Sequence, residues 1–293
     1  MPVESQSSIA TLQDDRWTGQ ASAIVAASSL ESGHVLFFPS LPFAVERAEM
    51  DVFSPALVPA AKNVSFDPHT GTLGGTSLAD SNAARLRGLI ARFSGAASAL
   101  VDGLLPAYRS RIQIARASFR PVEIAGRPTS WRKDDTRLHI DSFPATPVQG
   151  KRILRVFSNV NPSGGARTWR VGEDFEPMAR RFASSLRMPA PGSATLRRLV
   201  RLTKSTRAPY DALMLQLHDR MKADTAYQAA APQLTVEFPA GSTWMAFTDQ
   251  VSHAAMAGQY QLEQTFLLPV DAMLDERRSP LRVLERIMRR TLA

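Results

Sequence analysis

The order of extended and helical segments constrains this chain more than any single motif does. Period-two stretches fall into two groups: RIQIARASFRPVEI, TRLHID and RILRVFSNVN in the first, QLTVEFPAGSTWMAFTD and QTFLLPV in the second. In the second group Leu234, Val236 and Phe238 alternate with Thr235 and Glu237, the pattern of a strand with one buried face. Between Phe175 and about Met221 the period becomes helical, most clearly where Tyr210, Leu213, Met214, Leu217 and Met221 share one face. Strands, a helical insert and strands again, without regular βα alternation, argue against a Rossmann or TIM fold. They point to an antiparallel barrel or sandwich that carries helices on one side.

The flanks are read the same way. Leu86, Leu89, Ile90 and Phe93 form an i, i+3, i+4, i+7 pattern behind a Ser81/Asn82 cap, which predicts a helix facing a core. Residues 1–80 are less distinctive: short apolar runs such as HVLFFPSL and FAVERAEMDVF, broken by Ser, Gly and Pro, suggest strands or short helices at one side. The segment 279–293 predicts a C-terminal amphipathic helix. Ser279 and Pro280 suit its start, and Leu281, Leu284, Ile287, Met288 and Leu292 lie opposite Arg282, Arg286, Arg289 and Arg290. Such a helix either docks on its own protein or lies on an anionic membrane. The expected organisation is one domain over 1–293 with a helical insert at 172–228, without internal repeats.

Composition narrows the chemistry. There is no cysteine, so thiolate zinc sites, iron–sulfur clusters and cysteine nucleophiles are excluded, and any metal must use His, Asp or Glu. The longest apolar runs fall short of the roughly 20 residues that span a bilayer. MPVESQSS has neither the basic start nor the apolar stretch of a signal peptide, so a cytoplasmic location is expected. The net charge is +8, and only five of the 35 basic residues are Lys. Arg excess suits anionic partners, whether nucleic acid, a membrane face or an acidic substrate, and also arises from genome composition alone. No dense basic run or aromatic-interleaved strand favours nucleic acid.

The five histidines, at 34, 69, 139, 218 and 253, allow a metal site to be sought by enumeration. In RLHIDSF, His139 and Asp141 are two apart and on an extended chain project to the same side. A distant His would complete a 2-His-1-carboxylate triad, which suits non-haem Fe(II) and leaves positions open for a co-substrate and O2. His253 lies after a strand pair and before the final strand, where such a ligand belongs; a plain structural His–Asp hydrogen bond is the alternative. His34, His69 and His218 read as surface or structural. Arg155 sits in ILRVFSNV, apolar on both faces and therefore a doubly buried strand. A buried guanidinium requires a carboxylate, either an internal Asp or Glu or the remote carboxylate of a keto acid chelating the metal. Asn159 and Asn161 continue on its face and either orient those partners or serve the turn before Pro162 and Gly164.

The block RPTSWRKDDTRLHIDSFPATPVQGKRILRVFSNVNP, Arg127 to Pro162, together with SHAAMAGQYQLEQTFLLP, Ser252 to Pro269, resembles the 3-deoxy-D-manno-oct-2-ulosonic acid (Kdo) hydroxylase family. The likeness runs from about residue 80 to the end. It implies a mainly β, α+β chain built on a double-stranded β-helix, a cupin-like jelly roll with flanking and inserted helices. It implies Fe(II) held by His139, Asp141 and His253, with 2-oxoglutarate and O2 as co-substrates, succinate and CO2 as products, and hydroxylation at C3 of Kdo in the lipopolysaccharide inner core. Many members of the wider superfamily place an Arg or Lys shortly after the distal His to bind 2-oxoglutarate. Here Gln259, Gln261, Gln264 and Thr265 follow His253, and the next Arg is Arg277. The co-substrate clamp is therefore sought at Arg155, with Asn159, Gln264 and Thr265 as further candidates.

A Kdo-bearing glycolipid is acidic, and Arg127, Arg132, Lys133 and Arg137 crowd the approach to the iron strand. With Asn161 they are candidates for substrate binding; a solvated basic edge strand is the bland reading of the same four. Peripheral contact with the cytoplasmic face of the inner membrane would give the C-terminal helix a purpose. A cupin-type metal isomerase or hydrolase, or a basic nucleic-acid-binding protein, are the competing functions. Oligomeric state is not legible.

Overall fold

In the computed structural model, residues 8–19, 23–58, 62–76, 78, 80–190 and 207–293 are described. Eight strands form one sheet: β1 (Ile9–Thr11), β2 (Val35–Phe38), β3 (Val64–Asp67), β4 (Thr72–Gly74), β5 (Gln113–Arg120), β6 (Arg152–Asn159), β9 (Thr243–Phe247) and β11 (Gln261–Leu268). Their order is β1-β2-β9-β6-β11-β5-β3-β4, antiparallel except for β1 with β2. Strands β7 (Arg167–Gly172), β8 (Gln233–Phe238) and β10 (His253–Ala257) form a second sheet in the order β10-β7-β8. The two sheets share a core in which Val35, Phe157, Trp244 and Ala246 of the larger sheet meet Trp169, Val171 and Phe238 of the smaller. Phe238 stacks on Trp244 with centroids 4.1 Å apart, and Trp169 stands edge-on to both. This is the expected jelly roll with helices.

Both faces of β6 and β11 are buried, as the two-sided apolar pattern of ILRVFSNV predicts. Their register sorts the side chains. Arg155 opposes Thr265, Phe157 opposes Glu263 and Asn159 opposes Gln261, while Leu154, Val156 and Ser158 oppose Phe266, Gln264 and Leu262. Leu154, Val156, Leu262 and Phe266 join the core under helices α1 (Ala23–Glu31) and α2 (Asp80–Leu104), together with Leu86, Leu89, Ile90 and Phe93. The alternate residues, with Phe157 among the aromatics of the other core, face the second sheet. The least distinctive region of the sequence supplies β1 and β2 at one edge of this sheet and β3 and β4 at the other. Strands of three or four residues contain too few alternations to declare themselves.

The helical stretches become α3 (Phe175–Phe182), α4 (Pro209–Ala223) and α5 (Thr225–Ala230); residues 191–206 of the expected insert lie outside the described residues. The stripe Tyr210, Leu213, Met214, Leu217 and Met221 is buried against Phe175, Met178 and Phe182. One expectation needs correction. TRLHID is not a regular strand, and His139 makes only a single antiparallel bridge, to His253. Of its two alternatives the C-terminal helix α6 (Pro280–Met288) takes the inward one: Leu281 and Leu284, with Leu292 beyond its end, are buried in the α3/α4 core. Its Arg282 pairs with Glu276 and Glu285, and Arg286 with Glu176. The stripe is thus unavailable for lying on a bilayer. Among the described residues no helix is long and apolar enough to cross a membrane. A chain ending at Arg278 is expected to lose cooperative thermal unfolding, since it bares the faces of α3 and α4; a truncated chain that melts like the full one would show that α6 is dispensable to the core.

Candidate active site

Three side chains from two segments meet at one end of the space between the sheets. His253 opens β10, and its backbone exchanges two hydrogen bonds with His139, at 3.0 and 2.8 Å; Asp141 N donates to Thr248 O at 2.8 Å. Residues 139–141 are therefore extended even without a strand, and the i, i+2 spacing puts imidazole and carboxylate on one side. One ligand atom from each of His139, Asp141 and His253 lies within 4.8 Å of the others.

The hydrogen bonds of the two rings decide their tautomers. His139 Nδ1 stands 2.7 Å from Arg137 O and His253 Nδ1 2.8 Å from Val251 O. A carbonyl only accepts, so each Nδ1 carries the proton and each Nε2 keeps its lone pair for a metal. Burial, with His253 and Lys222 nearby, pushes the His139 pKa well below the usual imidazole value, and burial also lowers that of His253 against the pull of Asp141. Burial alone would raise Asp141, but Arg155 and the two imidazoles outweigh it and hold the carboxyl below its usual range. Asp141 Oδ2 is buried with no hydrogen bond and only the charge of Arg155 against it. Two neutral imidazoles and one ionised carboxylate fit a divalent metal such as Fe(II). Protons compete with metal only below the ligand pKa values, so Co(II) affinity, followed by its visible absorption, should change little between about pH 7.5 and 6.5. A steep loss across that range would mean that the imidazoles titrate as exposed groups do.

A buried charge cluster adjoins this triad on the sheet side. Arg155 Nη1 lies 3.3 Å from Asp141 Oδ2 and 3.2 Å from Glu263 Oε1, so its internal partners include a member of the triad itself. Arg120, at the end of β5, takes the other oxygen of Glu263 at 3.0 Å. Arg167 on β7 is 2 % exposed, donates from Nη1 to Gly258 O, and has no partner for Nε. Burial and the neighbouring Arg120 push its pKa down. Sequence reading missed Arg120 and Arg167. The alternation Arg167, Trp169, Val171 was available in RTWRVG, but which strand it faces was not.

Most of the other sequence candidates are engaged in contacts of their own. Gln264 points to the opposite face from Thr265, as neighbours on a strand must, and donates to Ala115 O and Thr265 O. Asn159 is buried and spent on backbone, donating to Gly165 O and Phe238 O and accepting from Asn161 N. Asn161 caps its own turn by accepting from Ser163 N. Of the four cations before His139, Arg127 pairs with Asp135 and Arg137 with Asp134. Arg132 stacks on Trp131 and lies 3.5 Å from Asp219, and Lys133 is exposed. The segment holding them is irregular with one 3-10 turn rather than an edge strand. His218, read as surface or structural, stands with its ring 5.4 Å from that of His139, its Nδ1 3.0 Å from Asp219 Oδ1. It is part of the site's wall.

Comparison with known proteins agrees with this geometry. Residues 15–291 match the family model described as 3-deoxy-D-manno-oct-2-ulosonic acid (Kdo) hydroxylase. A solved structure of the Kdo hydroxylase KdoO, a non-heme Fe(II) alphaketoglutarate dependent dioxygenase in complex with cobalt(II), is 46% identical, with TM-score 0.94 and 97% of each chain covered. The same enzyme in complex with alphaketoglutarate and Fe(III) is 45% identical, with TM-score 0.94 and 98% of each chain covered, and its succinate and Fe(III) complex has TM-score 0.93 at 45% identity over 97% of each chain. Comparison with curated protein sequences found no match. With the family model spanning nearly the whole length and these structures superposing over it, the chain belongs to the Kdo hydroxylase family.

Proposed function

We propose that this chain is an Fe(II)/2-oxoglutarate-dependent dioxygenase that hydroxylates C3 of Kdo in the lipid A–inner core glycolipid. The observation that carries the reading is the convergence of two Nδ1-anchored imidazoles and one carboxylate beside a buried guanidinium. Iron, when bound by His139, Asp141 and His253, supplies oxygen activation coupled to decarboxylation of 2-oxoglutarate, with succinate and CO2 leaving. The protein's own groups do the rest. Hydrogen bonds to Arg137 O and Val251 O lock both rings so that Nε2 faces inward.

Arg155 pairs with the C5 carboxylate of 2-oxoglutarate. Asp141 and Glu263 hold it in place here; commitment of Asp141 to metal leaves Arg155 sharing Glu263 with Arg120, an excess of positive charge that a distal carboxylate would neutralise. Thr265, directly across from Arg155, offers a hydroxyl to the same group. Trp169, stacked on His253 at 5.0 Å, and Phe157 wall the space against water. At the outer side Arg132, Asp219 and His218 form a line from the surface to His139, and Arg132 is the candidate rim cation for an acidic sugar. Since α6 is folded inward, the enzyme meets its glycolipid as a visitor to the membrane surface. Incubation with Fe(II), 2-oxoglutarate and Kdo-lipid A should yield succinate and one added oxygen on Kdo by mass spectrometry. Conversion of the sugar without consumption of 2-oxoglutarate would favour an isomerase or hydrolase instead.

A further inference from the structure

The triad is flanked by a second cation whose role the charge cluster around Arg155 does not explain. Lys222 lies on α4, one helical turn beyond His218 and on the same face, and is 2 % exposed. Its own carbonyl accepts from Arg137 Nη1 at 2.8 Å, and Arg137 O in turn holds the His139 ring. Gln228 on α5 braces this contact, exchanging hydrogen bonds with both backbone groups of Leu138 and donating to Met221 O. Lys222 is thus fixed against the ligand-bearing segment.

Its ammonium has no ion pair and no side-chain hydrogen bond among the described residues, although Asp134, Asp135 and Asp141 lie in its field. Asp141 belongs to the triad and pairs with Arg155, and the other two are already spent. Asp135 gives one oxygen to Lys62 at 2.8 Å and the other to Arg127 at 3.1 Å. Asp134 gives one to the backbone and hydroxyl of Thr136 and the other to Arg137. A cation at the end of so buried a side chain is costly without an anion, and a structural lysine would have taken one of these oxygens.

Lys222 and Arg155 also act on different parts of the triad. Lys222 is the cation that weighs on His139, while Arg155 weighs on His253 and Asp141. Two anionic reactants must approach the metal, and the two cations come from different elements, Arg155 from β6 and Lys222 from α4. We propose that Lys222 is the seat for the carboxylate of the sugar acid, and so a specificity-determining residue. The inference rests on the reading of the chain as a Kdo hydroxylase. A compact ammonium with three donors suits a carboxylate and an adjacent sugar hydroxyl together.

Lys222→Met and Lys222→Arg, compared with wild type, test it. Lys222→Met should raise the KM for Kdo-lipid A by roughly tenfold to a hundredfold, with the 2-oxoglutarate KM changed less than about twofold, and Lys222→Arg should recover part of the loss. Binding of the Co(II)-loaded protein with 2-oxoglutarate to Kdo-lipid A micelles should weaken to the same degree, while binding to lipid A lacking the sugar stays unchanged. Thermal melting of Lys222→Met should be no lower than wild type, because an unpaired buried charge has been removed; a structural lysine would lower it. An unchanged glycolipid KM, a rise confined to 2-oxoglutarate, or equal loss on lipid A without Kdo, which would assign the cation to a phosphate, each overturns the proposal. Failure of the wild type to hydroxylate Kdo-lipid A would overturn the functional reading itself.

Discussion

Alanine at His139, Asp141 or His253, introduced singly, is expected to bring 2-oxoglutarate-dependent succinate formation to background and to abolish tight Co(II) binding. Removal of one ligand from a set of three leaves too few protein donors to hold the ion in place. The folds should survive, for different reasons. In His139→Ala and His253→Ala the two backbone hydrogen bonds between the segments remain, and the loss is packing, chiefly the His253 ring stacked on Trp169. In Asp141→Ala the metal-free protein loses a counter-charge of Arg155, which keeps Glu263 but shares it with Arg120, so a destabilisation of about 1–3 kcal/mol should appear in denaturant unfolding. Any of the three variants that binds one metal per chain and turns over normally removes that residue from the ligand set.

Arg155→Lys should raise the 2-oxoglutarate KM by roughly tenfold to a hundredfold, with a sugar-substrate KM within about twofold of wild type. The substitution keeps the charge and deletes the planar fork. In the structure one nitrogen of that fork stands within 3.3 Å of two carboxylates at once, while Nε is buried without a partner. A lysine ammonium held by Glu263 and Asp141 has no planar edge left to present to the co-substrate carboxylate, so it serves that group poorly. Steady-state kinetics varying each substrate in turn separates the effects, and an unchanged 2-oxoglutarate KM in a folded variant moves the clamp to Arg120 or Arg167. Opposite selectivity is expected from Lys222, so the two variants together divide the site into a co-substrate side and a sugar side.

Some of this site was legible before any fold was known. The H-x-D spacing needs only an extended chain to place His139 and Asp141 together, and it works even where the strand is reduced to one bridge. The two-sided apolar strand marked Arg155 as a buried cation in need of an anion. Gln264 beside Thr265 was a local error, since two neighbours on a strand cannot both face the same ligand. His218 was set aside because an isolated helical histidine carries no record of what its helix packs against. The basic cluster from Arg127 to Arg137 was read as free charge, yet Asp134 and Asp135 within it, with Asp219 on α4, take up three of its four cations.

The sequence by itself determined what depends on neighbours along the chain: the order of strands and helices, the faces of α2 and α4, and the pairing of His139 with Asp141. Only the tertiary structure decided which faces became interior. The register of β6 against β11 brought Arg155 to Glu263, the return of β5 to the far side of β11 brought Arg120 to the same carboxylate, and the docking of α4 brought His218 and Lys222 to His139. These meetings join residues between 79 and 143 positions apart, and burial is gained whichever apolar surfaces meet, so no local periodicity distinguishes the partner that packing selects.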